Sequence, residues 1–196
     1  MKKILIFPAS QRKSSLNRQL AYYLCSQLQQ QFIVEIIEPD DIQFPLFNQD
    51  DEQNTVLIDK VKDIHKKFKD ADGLIIVSPE YNGSVSPYLK NTMDWVSRLS
   101  RILPGQHYSS SPLYYKPVLL ACATPGTSGG LLGLQSTRLL FTYLGSLIMP
   151  EQISLTFAQE AWNDDGSLID KKRANDISIT LFHFEKIVDS ISMVSL

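Results

Sequence analysis

Apolar residues along this 196-residue chain fall into two rhythms that alternate. "KILIF" at 3–7 is a short continuous run. After it Leu16, Leu20, Leu24, Leu28 and Phe32 recur at the spacing of one helical face. "IVEII" at 33–37 reads as a second strand, and Ile58, Val61, Ile64, Phe68 and Ala71 as a second helical stripe. "GLIIVS" at 73–78 is apolar throughout, as a strand buried on both faces requires. Ser86 and Pro87 form an N-cap and first-turn pair, and Leu89, Met93, Val96 and Leu99 line the helix they open. "PVLLACA" at 117–123 is a fourth strand, followed by a helix through Leu134, Arg138, Phe141 and Leu144 with Gly145 at its end. "SLIMP" or "ISLTF" supplies a fifth strand. A last helix carries Ile177, Leu181, Phe184, Val188, Ile191 and Val194. Strand and helix alternating in this way predict an α/β fold, a parallel sheet covered on both sides, in one of the two common doubly wound orders.

Composition narrows the function classes. A chain of this length that is 43% hydrophobic has enough material for one sizeable core and little for two, so residues 1–196 are read as a single domain. Its 19 basic and 21 acidic side chains give a formal charge of -2, with no pull toward nucleic acid or an anionic membrane. The opening "MKKILIFPAS" is continuously apolar only from Ile4 to Phe7, too short for a signal-peptide core or a membrane span. Cys25 and Cys122 make no disulfide framework and lack metal-ligand spacing, and His65 and His107 have no ligand-like partners. These features predict a cytoplasmic protein with small-molecule partners and no metal.

In doubly wound sheets ligands bind beyond the carboxyl ends of the strands. The loop after the first strand, "PASQRKSSLN", brings Ser10, Ser15 and Asn17 with Arg12 and Lys13 to a helix start, whose free N–H groups and partial positive charge suit a phosphate. The same residues also describe a capped helix behind an exposed basic loop. Neither G-x-G-x-x-G nor a Walker loop is present. The loop after the third strand, "SPEYNG", lies beside the first in the order 2-1-3-4-5, where FMN sits between strands one and three. Tyr81 is placed there either to meet a planar ring or to cover the edge of the core.

Several segments resemble the NADPH-dependent FMN reductase family. Residues 9–17, Ala-Ser-Gln-Arg-Lys-Ser-Ser-Leu-Asn, are similar to its G-S-x-R-x-x-S-x-N phosphate loop, and Pro79-Glu80-Tyr81-Asn82 to its P-E-Y-N ring loop. "FPLFNQD", "LKNTMDW" and "TPGTSGGLLGLQ" extend the likeness over most of the first 150 residues, in the same order. The resemblance implies a flavodoxin-like three-layer sandwich with a five-stranded parallel sheet in the order 2-1-3-4-5. It implies FMN as cofactor, NAD(P)H as hydride donor, and a flavin, quinone, azo compound or metal oxyanion as acceptor. By it, Ser10, Arg12, Ser15, Leu16 and Asn17 hold the phosphate, Pro79, Glu80, Tyr81 and Asn82 meet the isoalloxazine, and Thr124 touches it from the loop after strand four. The flavin carries the chemistry, so no catalytic acid, base or nucleophile is assigned. A single-phosphate loop without a dinucleotide fingerprint favours FMN over FAD.

Three positions depart from the family pattern: Ala9 for Gly, Thr124 for Ser, and Leu132 where relatives often carry Arg. Ala9 is unfavourable if the turn needs a positive φ, and Leu132 removes a charge for a nucleotide phosphate. The resemblance also implies a homodimer, or a dimer of dimers, through the helix that opens at Pro87. Trp95 points about a quarter turn from Val96 and is read as an interface anchor or as a cover for the ring loop. The stretch between Arg101 and Tyr115 is read as a loop near the mouth of the site. Two other readings compete. Gly126-Thr127-Ser128-Gly129-Gly130 fits G-x-S-x-G, with Asp164, Asp165 and His183 following in hydrolase order. The same FMN pocket also serves a non-enzymatic electron carrier or redox sensor.

Overall fold

A computed structural model describes residues 1–103 and 111–191. His107, Val194 and the centre of the 101–115 stretch lie outside the described residues. Five strands, β1 (Lys3–Pro8), β2 (Ile33–Ile36), β3 (Gly73–Val77), β4 (Pro117–Ala123) and β5 (Leu147–Leu155), form one parallel sheet in the order 2-1-3-4-5. This is the flavodoxin-like order that the resemblance implied. Helices α1 (Leu16–Leu28) and α5 (Lys171–Ser190) cover one face, and α2 (Thr55–Asp70), α3 (Pro87–Ile102) and α4 (Leu131–Tyr143) the other.

Strand alternation sorts the core between the two faces. In β1, Ile4 and Ile6 meet Leu20, Leu24 and Phe184, while Leu5 and Phe7 meet Phe68, Met93 and Val96. The next strand follows suit, Ile75 and Val77 on the first side, Leu74 and Ile76 on the second. A strand sandwiched in this way has no polar face, which accounts for the unbroken apolar runs of β3 and β4.

Differences from the sequence reading have local causes. α1 stops at Leu28, where Gln31 and Phe32 donate their N–H groups to the Leu28 carbonyl, so Phe32 reaches the core from beyond a turn. Ala71 likewise lies just past α2, as its C-cap. The two candidates for the fifth strand are one strand with an irregularity: Ile148 pairs with Val118 and Gln152 with Leu120, so three residues face one. Pro150 sits in that bulge, where no ladder N–H is demanded of it. Arg138 of α4 donates to the freed Met149 carbonyl at 2.8 Å, which explains a cation in an otherwise apolar stripe.

Trp95 corrects the expectation of an interface anchor. It does point away from the Val96 stripe, but α2 and the loop after β2 cover it. Only 1% exposed, it packs with Leu57, Ile58, Val61 and Leu99. Its ring stands edge-on to Phe47 at 4.8 Å, and its indole N–H donates to the Pro45 carbonyl at 2.9 Å.

Candidate functional site

Three loops meet at the carboxyl end of the sheet: 9–15 after β1, 78–86 after β3 and 124–130 after β4. Pairing of Pro8 with Val77 puts the first two side by side. Ala9 N–H continues that ladder to the Val77 carbonyl at 2.9 Å, and Ser78 N–H goes to the Ala121 carbonyl at 3.0 Å.

The first loop enters α1 through Ser15, the N-cap, whose Oγ accepts from Arg18 N–H at 3.4 Å. No acidic residue occupies the first turn of α1, so its positive end is not neutralised from within. Ser10 and Ser15 are buried. Arg12 is exposed, donating to the Ser14 carbonyl at 2.8 Å, and Leu16 packs partly buried against the α1/α5 core. Among the described residues, positive φ outside glycine is confined to Asn82, Tyr115 and Phe157. Ala9 therefore carries none of the strain that its replacement of glycine threatened.

Asn17 is 3% exposed, and its amide is spent on a backbone partner. Oδ1 accepts from Ala123 N–H at 2.9 Å and Nδ2 donates to the Ala123 carbonyl at 3.0 Å. The start of α1 is thereby tied to the end of β4, one residue before Thr124. Thr124 itself donates its N–H to Leu155 and its hydroxyl to the Gly126 carbonyl at 3.2 Å.

The loop after β3 is a tight reversal. Tyr81 and Ser84 exchange backbone hydrogen bonds of 3.1 Å, and Asn82 and Gly83 between them have φ of 52° and 70°. Two positive values in an Asn-Gly pair are those of a type I′ turn. The polar residues at the mouth of the most apolar strand are there to make this turn, which presents Tyr81 at the rim, 48% exposed. Pro79 is buried beneath it, and Glu80 accepts a hydrogen bond from Gly133 N–H of α4 at 2.8 Å.

Two further residues belong here that the sequence did not reveal. Ser86, identified as an N-cap, also donates to the Ala9 carbonyl at 2.8 Å, joining α3 to the first loop. Phe157, exposed and left-handed, donates its N–H to the Gly126 carbonyl at 3.2 Å. Neither residue belongs to a motif, and both partners are remote in sequence. Below the loops, Cys122 is buried, and that burial pushes its thiol up to about 12. It is not a thiolate nucleophile.

The hydrolase arrangement does not form. Ser128 is exposed, its Oγ accepting from Gly130 N–H at 3.4 Å, and the positive φ values of its turn belong to Gly129 and Gly130 rather than to the serine. His183 lies on the outer side of α5 with Nδ1 2.7 Å from Glu151 Oε1, and Asp165 bonds to Ser167.

Known proteins point the same way as the loops. The profile of the NADPH-dependent FMN reductase family matches residues 2–160. The chain is 28% identical over 193 residues to a quinone reductase of Escherichia coli, covering 97% of each. It is 31% identical over 176 residues to a quinone reductase of Pseudomonas putida, covering 87% of this chain and 86% of the relative. Among solved structures, a flavoenzyme NAD(P)H:(acceptor) oxidoreductase from Paracoccus denitrificans superposes with a TM-score of 0.81 at 23% identity, over 96% of this chain and 98% of that one, a likeness of fold. The chain therefore belongs to the NADPH-dependent FMN reductase family, a family of oxidoreductases that work with FMN and NAD(P)H.

Proposed function

We propose that residues 1–196 form a single FMN-binding domain that takes hydride from NAD(P)H and delivers electrons to a small acceptor of the quinone type. The observation that carries this reading is the pairing of Pro8 with Val77, which sets a hydroxyl-rich, cationic helix start beside a rigid turn that exposes a tyrosine. The donor set fits a phosphate monoester: Ser10, Ser15, the first N–H groups of α1 and the Arg12 guanidinium. Pro79 to Asn82 offer a backbone edge and Tyr81 an aromatic face to a ring, and Thr124 bounds it from the third loop. Leu16 packs against the α1/α5 core and would support the helix start that holds the phosphate, and Asn17 acts by holding α1 against β4.

When bound, FMN accepts hydride from the nicotinamide and passes the electrons on. The chain positions and shields, and no side chain in the three loops is assigned a proton. Names of the relatives support a quinone as acceptor. Among the described residues no helix is long and apolar enough to cross a membrane. Cys25 and Cys122 are unpaired, in keeping with the reducing cytoplasm. A homodimer, in place of the Trp95 anchor, uses α4, where Leu132, Leu139 and Tyr143 stand exposed along one side.

Purified protein is expected to release FMN and not FAD on denaturation. Its flavin should bleach with NADPH or NADH in a stopped-flow mixer and recover its colour with a quinone. Absence of flavin even after incubation with FMN, or bleaching only by a protein donor, would overturn the reading.

A further inference from the structure

The first turn of α4 is capped from outside its own segment. Its N-cap is Gly130, at φ 74°, with no side chain to accept a hydrogen bond. Four N–H groups at a helix start lack intrahelical acceptors. Leu131 N–H reaches the Ser128 carbonyl at 3.2 Å. Gly133 N–H goes to Glu80 Oε2 at 2.8 Å, across 53 residues of sequence. A carboxylate is the favoured partner at the positive end of a helix, and the bond is charge-assisted.

The approach is too close for any residue but glycine. A Cβ at position 133 would lie 2.8 Å from Glu80 Cβ and 3.0 Å from Glu80 Cα. Two neighbouring contacts act in the same sense. Ser136 Oγ donates to the Gly83 carbonyl at 3.4 Å, and Leu132 rests over Gly83, its Cδ1 3.3 Å from where a Cβ would stand there.

We propose that Glu80 is a positioning residue: its carboxylate, bonded to Gly133, fastens the 79–84 turn to the first turn of α4 and so fixes the two ring-facing loops relative to each other before any ligand arrives. The turn and α4 come from different strands, and in the first turn of α4 only this bond joins them through a charged group. With the fastening in place, the protein has already met the cost of ordering the Tyr81 turn, and FMN binds a preorganised surface. Without it the cofactor itself must order the turn. The consequence for FMN rests on the flavin reading above. The fastening does not, since it is a property of the protein alone.

The test uses the full chain with Glu80→Gln, Glu80→Ala, Gly133→Ala and the double variant Glu80→Ala/Gly133→Ala. Three quantities are read: amide exchange at Tyr81 and Ser84 in FMN-free protein, FMN affinity, and the visible circular dichroism of bound flavin. Glu80→Ala and Gly133→Ala should each speed exchange at Tyr81 and Ser84 by about tenfold and weaken FMN binding by roughly five- to tenfold. Both should alter the flavin dichroism, which a mere loss of helix stability would leave alone. Glu80→Gln keeps an acceptor and should restore most of all three. The double variant should be no worse than Gly133→Ala alone, because that change already breaks the bond and an alanine at 80 keeps the Cα and Cβ that the new methyl meets. Unchanged exchange in Glu80→Ala, or additive effects in the double variant, overturns the proposal. Should Gly133→Ala fail to fold, the contrast between Glu80→Ala and Glu80→Gln decides. If the wild type binds no FMN, the flavin reading fails while the exchange data still judge the fastening.

Discussion

Asn17 and Ala123 pair as though they were neighbours in a sheet, the side-chain amide of one exchanging two hydrogen bonds with the backbone of the other. A side chain thus extends the β4 ladder into the start of α1, and the phosphate-side loop and the Thr124 loop share one anchor. Both bonds are buried, so Asn17→Ala leaves a backbone N–H and a carbonyl without partners. Urea unfolding of FMN-free protein should show a loss of about 2–4 kcal/mol, from two bonds and the unsatisfied groups left behind. A midpoint within error of the wild type would mean that water replaces the amide.

Arg12 should behave in the opposite way. Its guanidinium is exposed and, among the described residues, holds only the Ser14 carbonyl. Arg12→Ala should leave unfolding almost untouched while weakening FMN by about 1.5–3 kcal/mol, roughly a ten- to hundredfold loss, if it bonds the phosphate. Titration of apoprotein by flavin fluorescence quenching measures this. Equal affinity in the variant would assign the phosphate to Ser10, Ser15 and the helix N–H groups alone.

What the sequence showed and what it hid divide along physical lines. Periodicity and capping are local, so the β4 run from Pro117 to Ala123, the Ser86–Pro87 helix start and the Gly145 stop are legible without a partner. The three candidate loops are legible as motifs, because each resemblance lies in consecutive residues. Contacts that join them are not. Asn17 with Ala123, Ser86 with Ala9 and Glu80 with Gly133 are separated by dozens of residues, and nothing in either segment marks the other. Trp95 shows the same limit: its helical face is legible in the sequence, but the cover provided by Phe47 and Pro45 is tertiary.

That burial makes Trp95 a stability residue. Trp95→Ala should cost about 3–5 kcal/mol, as for other large aromatic truncations, with no change in the assembly of the folded fraction. Leu139, 72% exposed on α4, is the better place to break a dimer. Leu139→Glu should leave the unfolding midpoint of a monomer unchanged and shift light scattering toward half the mass. Dissociation by Trp95→Phe but not by Leu139→Glu would return the interface to α3.

His65 predicts an acid sensitivity unconnected with the site. It is buried on α2, its Nε2 has no hydrogen-bond partner among the described residues, and burial with the nearby Lys69 charge lowers its pKa to about 4. The unfolded chain takes up this proton near pH 6.5 and the folded protein only near 4, so stability is whole above 6.5 and falls as pH drops through that window. The loss is at most about 3 kcal/mol. Urea midpoints of wild type and His65→Gln between pH 7 and 4 should converge as the pH falls or cross. Parallel curves would show that His65 protonates without penalty.

Tyr81 should separate binding from hydride transfer. The Asn82–Gly83 turn fixes its backbone independently of the side chain, since the two hydrogen bonds with Ser84 are main-chain to main-chain. Tyr81→Ala should therefore preserve the turn and weaken FMN by no more than about tenfold, the loss of one aromatic contact with no charge-assisted bond broken. It removes an exposed aromatic surface at the rim, where a nicotinamide must settle against the flavin. Stopped-flow reduction by NADPH at saturating FMN should slow by roughly tenfold or more, since small misplacements of reacting groups are expensive in rate. Gly83→Val offers the complementary measurement, because a β-branched residue at φ 70° disrupts the turn itself. It should weaken FMN binding and reduction together. If Tyr81→Ala instead abolishes FMN binding with normal folding, the tyrosine carries the cofactor's affinity and not the donor's approach.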